Sequence, residues 1–243
     1  GRVRYPLLGT TLDLGRTKGE VLISPQWVVV DKMMGTIWDG TFTGRVLAQI
    51  DDGDALNGSF VLQDMNLTSI GKSYDKKMEK ATVHGAIEFS SKGGNMNSIQ
   101  AKGEAALVHG DLVEIPLFGF LGEALSNYIP GLGHLINYKI SRADCDFSIE
   151  KGYVRTSNFA AQGSNMSLEG GGWIRLSDLQ VNSDFKLGLR GLPGFITSPV
   201  FLLAGGLFQV RGTGPLSNVS WNFAPFSGGK APVPPAAAPA RKR

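Results

Sequence analysis

Cysteine is almost missing from this chain of 243 residues: Cys145 stands alone. A single thiol builds no internal disulfide and no cysteine-based metal centre. Histidine is nearly as scarce. His84, His109 and His134 fall in none of the H-x-x-x-H or H-E-x-x-H spacings that put two imidazoles on one helical face. No P-loop, no G-x-S-x-G and no dinucleotide fingerprint after a strand is present. With no nucleophile–base pair in view, the expectation is a non-enzymatic protein with no catalytic residue, no cofactor and no metal.

A long apolar run is missing too. Gly191 to Val210 carries no formal charge, but Pro193 and Pro199 divide it. The segment after Pro199, "VFLLAGGLFQV", makes a helix of only ~17 Å at ~1.5 Å per residue. That falls short of a hydrocarbon core of ~30 Å. The formal charge is +3, yet Lys230, Arg241, Lys242 and Arg243 lie in the last stretch, so the rest carries 3 − 4 = −1. The basic character belongs to a tail, and nucleic acid is not an expected partner. "DDGDALNG", Asp51 to Gly58, lacks the bidentate Glu of a calcium loop and reads as a polar hairpin turn.

What the chain has is alternation. In "LQVNSDFKLGLRG", Leu179, Val181, Phe185, Leu187 and Leu189 share one parity; Gln180, Asn182, Asp184, Lys186 and Arg190 share the other. This is a long β-strand with one oily and one wet face. The pattern recurs. Phe42, Val46, Ala48 and Ile50 alternate with polar residues in "TFTGRVLAQI", with Leu47 as the exception. Val83, Ile87 and Phe89 alternate in "TVHGAIEF", and Ile99, Ala101, Ala105 and Leu107 in "SIQAKGEAAL". Cys145, Phe147 and Ile149 alternate in "ADCDFSIE". Turn chemistry bounds the runs at Asp52-Gly53, Lys92-Gly93-Gly94, His109-Gly110-Asp111, Lys151-Gly152 and Gly170-Gly171-Gly172. The predicted fold is mainly β, a long antiparallel meander sheet.

Two stretches break the two-residue rhythm and predict short amphipathic helices. One places Phe118, Leu121, Leu125 and Tyr128 at helical spacing; the other begins after Pro199. The first is a candidate lid over the sheet, or, on the plainer reading, a plug of ordinary core at its end. From Ser227 the composition turns to Pro and Ala with no aromatic residue. Residues 1–226 are therefore expected to form the β domain, and residues 227–243 a disordered basic tail. Two short helices cannot cover so long an apolar face. It must fold over on itself as a sandwich, close as a barrel, or curl into a groove filled by something apolar.

Several segments, in order from about Leu12 to Phe223, resemble the C-terminal region of the AsmA-like family of bacterial envelope proteins. "MMGTIWDGTFTGRV" carries a small-Gly-Gly pattern at Gly35, Gly40 and Gly44. "IQAKGEAALVHGDLVEIPLFGFL" is similar to a Gly-rich strand pair leading into a helix. In "DCDFSIEKGYVRTSNFAAQGSNMSLEGGGWIRLSDLQVNSDFKL" a turn at Gly152 and the Gly170–Gly172 strand precede a long strand. "FQVRGTGPLSNVSWNF" resembles the closing pattern, with Gly212-Thr213 and then a Pro before the last strand.

The resemblance implies a β-sheet curled into an apolar groove, and a role in phospholipid transport and outer-membrane assembly. It implies a periplasmic module of a longer protein, anchored in the inner membrane by an N-terminal segment that this sequence does not contain. Phospholipid or another acyl-chain ligand, and other envelope proteins, are the implied partners. The groove wall would be Phe42, Val46, Ile50, Ile87, Phe89 and Ile99, continued by Leu107, Phe147, Ile149, Phe185, Leu187 and Leu189. The competing expectation is a self-closed β-sandwich acting as a structural or adhesion module with no lipid ligand.

Overall fold

The computed structural model describes residues 3–7, 10–50, 55–73, 80–93, 96–108, 113–114, 139–164, 166–189, 207–216 and 218–225. A hairpin of β1 (Val3–Leu7) and β2 (Thr10–Leu14) comes first. The long strands come next: β3 (Lys18–Ile23), β4 (Trp27–Ile37), β5 (Gly40–Gln49), β6 (Ala55–Asn66), β7 (Thr82–Ser91) and β8 (Gln100–Val108). After the short β9 (Val113–Glu114) come β10 (Lys139–Glu150), β11 (Tyr153–Gly163), β12 (Met166–Arg175) and β13 (Gln180–Leu189). β14 (Leu207–Pro215) and β15 (Ser220–Pro225) close the order.

Strands β3 to β8 and β10 to β15 pair in sequence order as one open antiparallel sheet, with β9 paired beside β10. At ~4.8 Å between strands this meander is about 50 Å across. Among the described residues it is a single hydrogen-bonded sheet whose end strands are β3 and β15. Every residue of β3 is exposed.

Tight turns and bulges shape the sheet. Lys151 and Gly152, with φ of 52° and 77°, make the two-residue turn between β10 and β11. Trp38 and Asp39 make another between β4 and β5, with φ of 48° and 60°. Bulges at Lys32 and Asp64 shift the register of β4 and β6. At the second, the Asp64 backbone N–H donates to His84 Nδ1 at 3.3 Å. A third irregularity falls in β11 around Asn158. There Asn158 Oδ1 accepts from the Asp146 backbone N–H at 2.9 Å and its amide donates to Asp146 Oδ2 at 2.7 Å. A side chain thus replaces the ladder bond that the bulge interrupts.

The α-helix among the described residues is α1 (Leu67–Ser73), which the alternation argument did not foresee. Asn66 caps it, accepting the Thr68 N–H at 2.9 Å. The helix docks on the β4–β5 turn: Ser69 Oγ donates to Asp39 at 2.5 Å, and Trp38 Nε1 donates to Ser73 Oγ at 3.0 Å. The helix predicted from Phe118 to Tyr128 lies outside the described residues, as do residues 227–243 and 200–206 of the helix predicted after Pro199; the last four residues of that segment, Leu207 to Val210, belong to β14 instead. Gly170-Gly171-Gly172, read as a turn from its composition and as a strand from the resemblance, lies within β12. Its neighbours explain why: a Cβ on Gly171 would stand 2.3 Å from the Thr156 carbonyl oxygen, and one on Gly172 would stand 2.5 Å from that of Asn182. Glycine here permits close strand packing rather than a reversal.

Candidate functional site

Directly opposed residues of an antiparallel ladder point to the same side. The register therefore sorts the strand residues into two faces. On one face, apolar rows cross the strands. The upper row runs Met65, Val83, Leu107, Ala143, Ala161, Leu168, Leu187, Phe208. A middle row runs Met33, Gly44, Phe60, Ile87, Gly103, Phe147. A lower row runs Val46, Gly58, Phe89, Ala101, Ile149, Val154, Ile174, Val181.

These rows differ in burial. Leu168 and Leu187 are 0% exposed, and Met65, Ala143, Ala161 and Phe208 are also buried. At the β4–β6 corner, Ile37, Phe42 and Met65 form a core packed by Ile70 of α1, with Leu14 and Trp38. Phe60, Ile87 and Phe147 in the middle row, and Val46, Phe89, Ile149, Val154 and Ile174 in the lower, are only half-buried. The upper row is the more closed, although Val83 and Leu107 in it are half-buried; the middle and lower rows are the more open, although Ala101 and Val181 in the lower row are buried.

The predicted groove residues divide along this line. Val46, Ile87, Phe89, Phe147 and Ile149 lie in the open half, and Leu107 is half-buried in the upper row. Phe42, Phe185, Leu187 and Leu189 point to the same face but are 3%, 8%, 0% and 6% exposed. They are closed core rather than accessible wall. Ile50 comes just after the end of β5 and is 54% exposed; Ile99 precedes β8. The lid residues Phe118, Leu121, Leu125 and Tyr128 lie outside the described residues. Phe60, Val154, Phe159 and Ile174 belong to the apolar face and escaped the sequence reading. Bulges hid some of them: Phe159 comes after the irregularity that reverses the parity of β11.

Rings on this face recline over glycines of the neighbouring strand. Gly35 opposes Phe42, Gly44 opposes Phe60, Gly58 opposes Phe89, and Gly103 opposes Phe147. Gly170 opposes Phe185, and Gly212 opposes Trp221. A Cβ on Gly58 would stand 2.6 Å from Phe89 Cζ; one on Gly103 would stand 2.5 Å from Phe147 Cζ. The rings also meet each other. Phe60 and Phe89 stack with centroids 6.1 Å apart, and Phe159 meets Phe185 edge-on at 5.5 Å.

The opposite face carries most of the charges, largely ion-matched, together with Val29, Leu47, Val61, Tyr153 and Trp173. Glu88 opposes Lys102, and Glu169 opposes Lys186. The buried carboxylate of Asp184 accepts from Gln209 Nε2 at 2.7 Å and Arg211 at 2.8 Å. An open depression of ≈ 860 Å³ is lined by Glu88, Lys102, Glu104, Asp146 and Arg155, whose charges offset one another, and also by Ile87, Gly103 and Phe147. His84 is engaged in the β6 bulge, while His109 and His134 lie outside the described residues. Burial, and then Asp146 and Asp144, push the Cys145 thiol pKa above its ordinary value, which disfavours the nucleophilic thiolate at neutral pH. Among the described residues no cluster of three His, Cys, Asp or Glu could hold a metal ion, and no helix is long and apolar enough to cross a membrane.

No protein-family model, curated protein or solved structure matches this chain.

Proposed function

We propose that this chain is a non-enzymatic cell-envelope module whose open apolar sheet face receives the acyl chains of phospholipid. The reading rests on one observation above others: half-buried apolar residues recur from β5 to β12 in the middle and lower rows of an open sheet, with buried Ala101 between Phe89 and Ile149. Leaving apolar area in water costs about 25 cal/mol per Å². An alkyl chain lying there relieves that cost without demanding a specific polar contact. Each step along the rows exchanges one apolar contact for another, so a chain can slide with little change in free energy.

The resemblance to AsmA-like proteins supports the same reading. On this reading the module works in the periplasm, at the inner membrane, and contributes to phospholipid transport and outer-membrane assembly. Phospholipid is the proposed ligand; other envelope proteins are proposed partners, and nucleic acid is not. The buried upper rows favour a second reading for that half alone, as self-contained structural core.

The test is lipid extraction and mass spectrometry of the purified chain, with and without residues 227–243. Stoichiometric phospholipid in both samples is the expected result. A folded protein free of lipid, which also fails to take up added phospholipid, would sink the proposal in favour of the structural module.

A further inference from the structure

The open half of the apolar face has an unusual floor. Phe60, Phe89 and Phe147 are its largest side chains in the middle and lower rows, and each stands directly opposite a glycine. In each case the ring, not merely its Cβ, reaches over that glycine. A Cβ on Gly44 would meet Phe60 Cδ1 at 2.3 Å, and one on Gly58 would meet Phe89 Cε1 at 2.7 Å. One on Gly103 would meet Phe147 Cε1 at 2.9 Å. These atoms belong to the side of the ring or its far edge, so the rings lie down across the partner strand.

Glycine in a strand interior costs stability, through backbone entropy and a missing side chain. Here the ring of the opposing residue occupies the vacated space. The pairing recurs on the closed half, at Gly35 with Phe42 and Gly170 with Phe185, where it packs core. On the open half Phe89 and Phe147 remain half-exposed, and Phe60, also half-exposed, borders the Ile37–Phe42–Met65 core. The effect of the pairing there is on shape. A reclined ring leaves a low, smooth floor; an upright one would stand as a post in the path of anything lying on the sheet.

We propose that Gly44, Gly58 and Gly103 are positioning residues that seat Phe60, Phe89 and Phe147 flat, and so set the open face to take thin, unbranched alkyl chains in preference to branched ones. The inference rests on the acyl-chain reading of the open face and adds a selectivity to it. The three seats are not equivalent as test sites. A Cβ at Gly44 or Gly103 would also press on a backbone carbonyl, at 2.5 Å and 2.4 Å respectively. At Gly58 the nearest backbone atom, the Arg45 carbonyl oxygen, is 3.0 Å away, and the closer contacts are the movable edge of Phe89. Gly58→Ala therefore tips the ring with the least disturbance of the ladder.

The experiment uses the full chain, with fluorescent cis-parinaric acid as probe and palmitic or methyl-branched phytanic acid as competitor. Wild type is expected to bind palmitic acid more tightly than phytanic acid. Gly58→Ala is expected to weaken palmitic acid about tenfold, a change equivalent to ~1.4 kcal/mol. Adding Phe89→Leu to Gly58→Ala removes the tipped ring and restores binding, which a loss of fold would not allow. Phe89→Leu alone deepens the floor and narrows the gap between the two acids; this arm decides the matter if Gly58→Ala does not fold. Wild-type affinity for palmitic acid in a folded Gly58→Ala variant overturns the proposal, as does unchanged discrimination in Phe89→Leu. A folded wild type that binds neither acid removes the acyl-chain reading itself, and this inference with it.

Discussion

The upper and lower rows of the apolar face are built from the same residue types and do different things. Leu187 and Leu168 in the upper row are sealed, while Ile149 and Ile174, in rows further down their strands, remain half-exposed. Composition does not separate them. Position does: α1 and the β4–β5 turn pack on Ile37, Phe42 and Met65 at one corner, and in β13 the apolar-face residues Val181, Phe185, Leu187 and Leu189 are all buried. An apolar residue becomes core only when something lies over it, and Phe89, Phe147, Ile149, Val154 and Ile174 are where this sheet leaves the oily face open.

The comparison breaks most sharply with a charge. Leu187→Asp places an unpaired carboxylate at a site with no solvent access, a cost of several kcal/mol, and is expected to abolish cooperative folding by circular dichroism. Leu187→Ala, its milder form, should cost about 2–5 kcal/mol in urea denaturation. Phe147→Asp tests the open half. It should remain folded and lose acyl-chain binding, because its ring is only half-buried and the new carboxylate can reach water. If Phe147→Asp unfolds as completely as Leu187→Asp, the two halves are one core and the distinction is wrong.

Smaller effects sharpen the boundary. Cys145 lies on the apolar face between Ala143 and Phe147 in parity, and burial raises its pKa. Alkylation by iodoacetamide should therefore be slower in the folded chain than in urea at pH 8–9, a range near the ordinary thiol value of ~8.5. Stability carries the matching sign: above that value the unfolded chain releases the proton first, so folding loses stability as pH rises. Rapid alkylation of the native protein would argue against this environment. The least effect is expected at the end strand β3. Ile23 is 76% exposed, and Ile23→Lys should change unfolding free energy by no more than about 0.5 kcal/mol.

Much of this architecture was legible in residue order. Alternation placed β5, β7, β8, β10 and β13 close to their observed spans, and Lys151-Gly152 forms the turn expected of it. The misses have physical causes. The bulges in β6 and β11 change parity partway along a strand, so Met65 and Phe159 face inward out of phase with the residues before them. The glycine run in β12 looks like a turn until the close approach of Thr156 and Asn182 is known. α1 left a faint signal, with Asn66 as cap and Ile70 three residues after Leu67, but seven residues are too few for periodicity to declare a helix.

By itself the sequence determined the class of fold and the two-sidedness of its sheet, because a period of two forces alternate side chains to opposite faces whatever else the chain does. Which apolar residues are core and which are open surface was decided only by the tertiary structure. Phe185 and Phe147 occupy equivalent places in their strand patterns, yet one is buried and the other half-exposed. Burial depends on what packs above a residue, and that comes from parts of the chain distant in sequence.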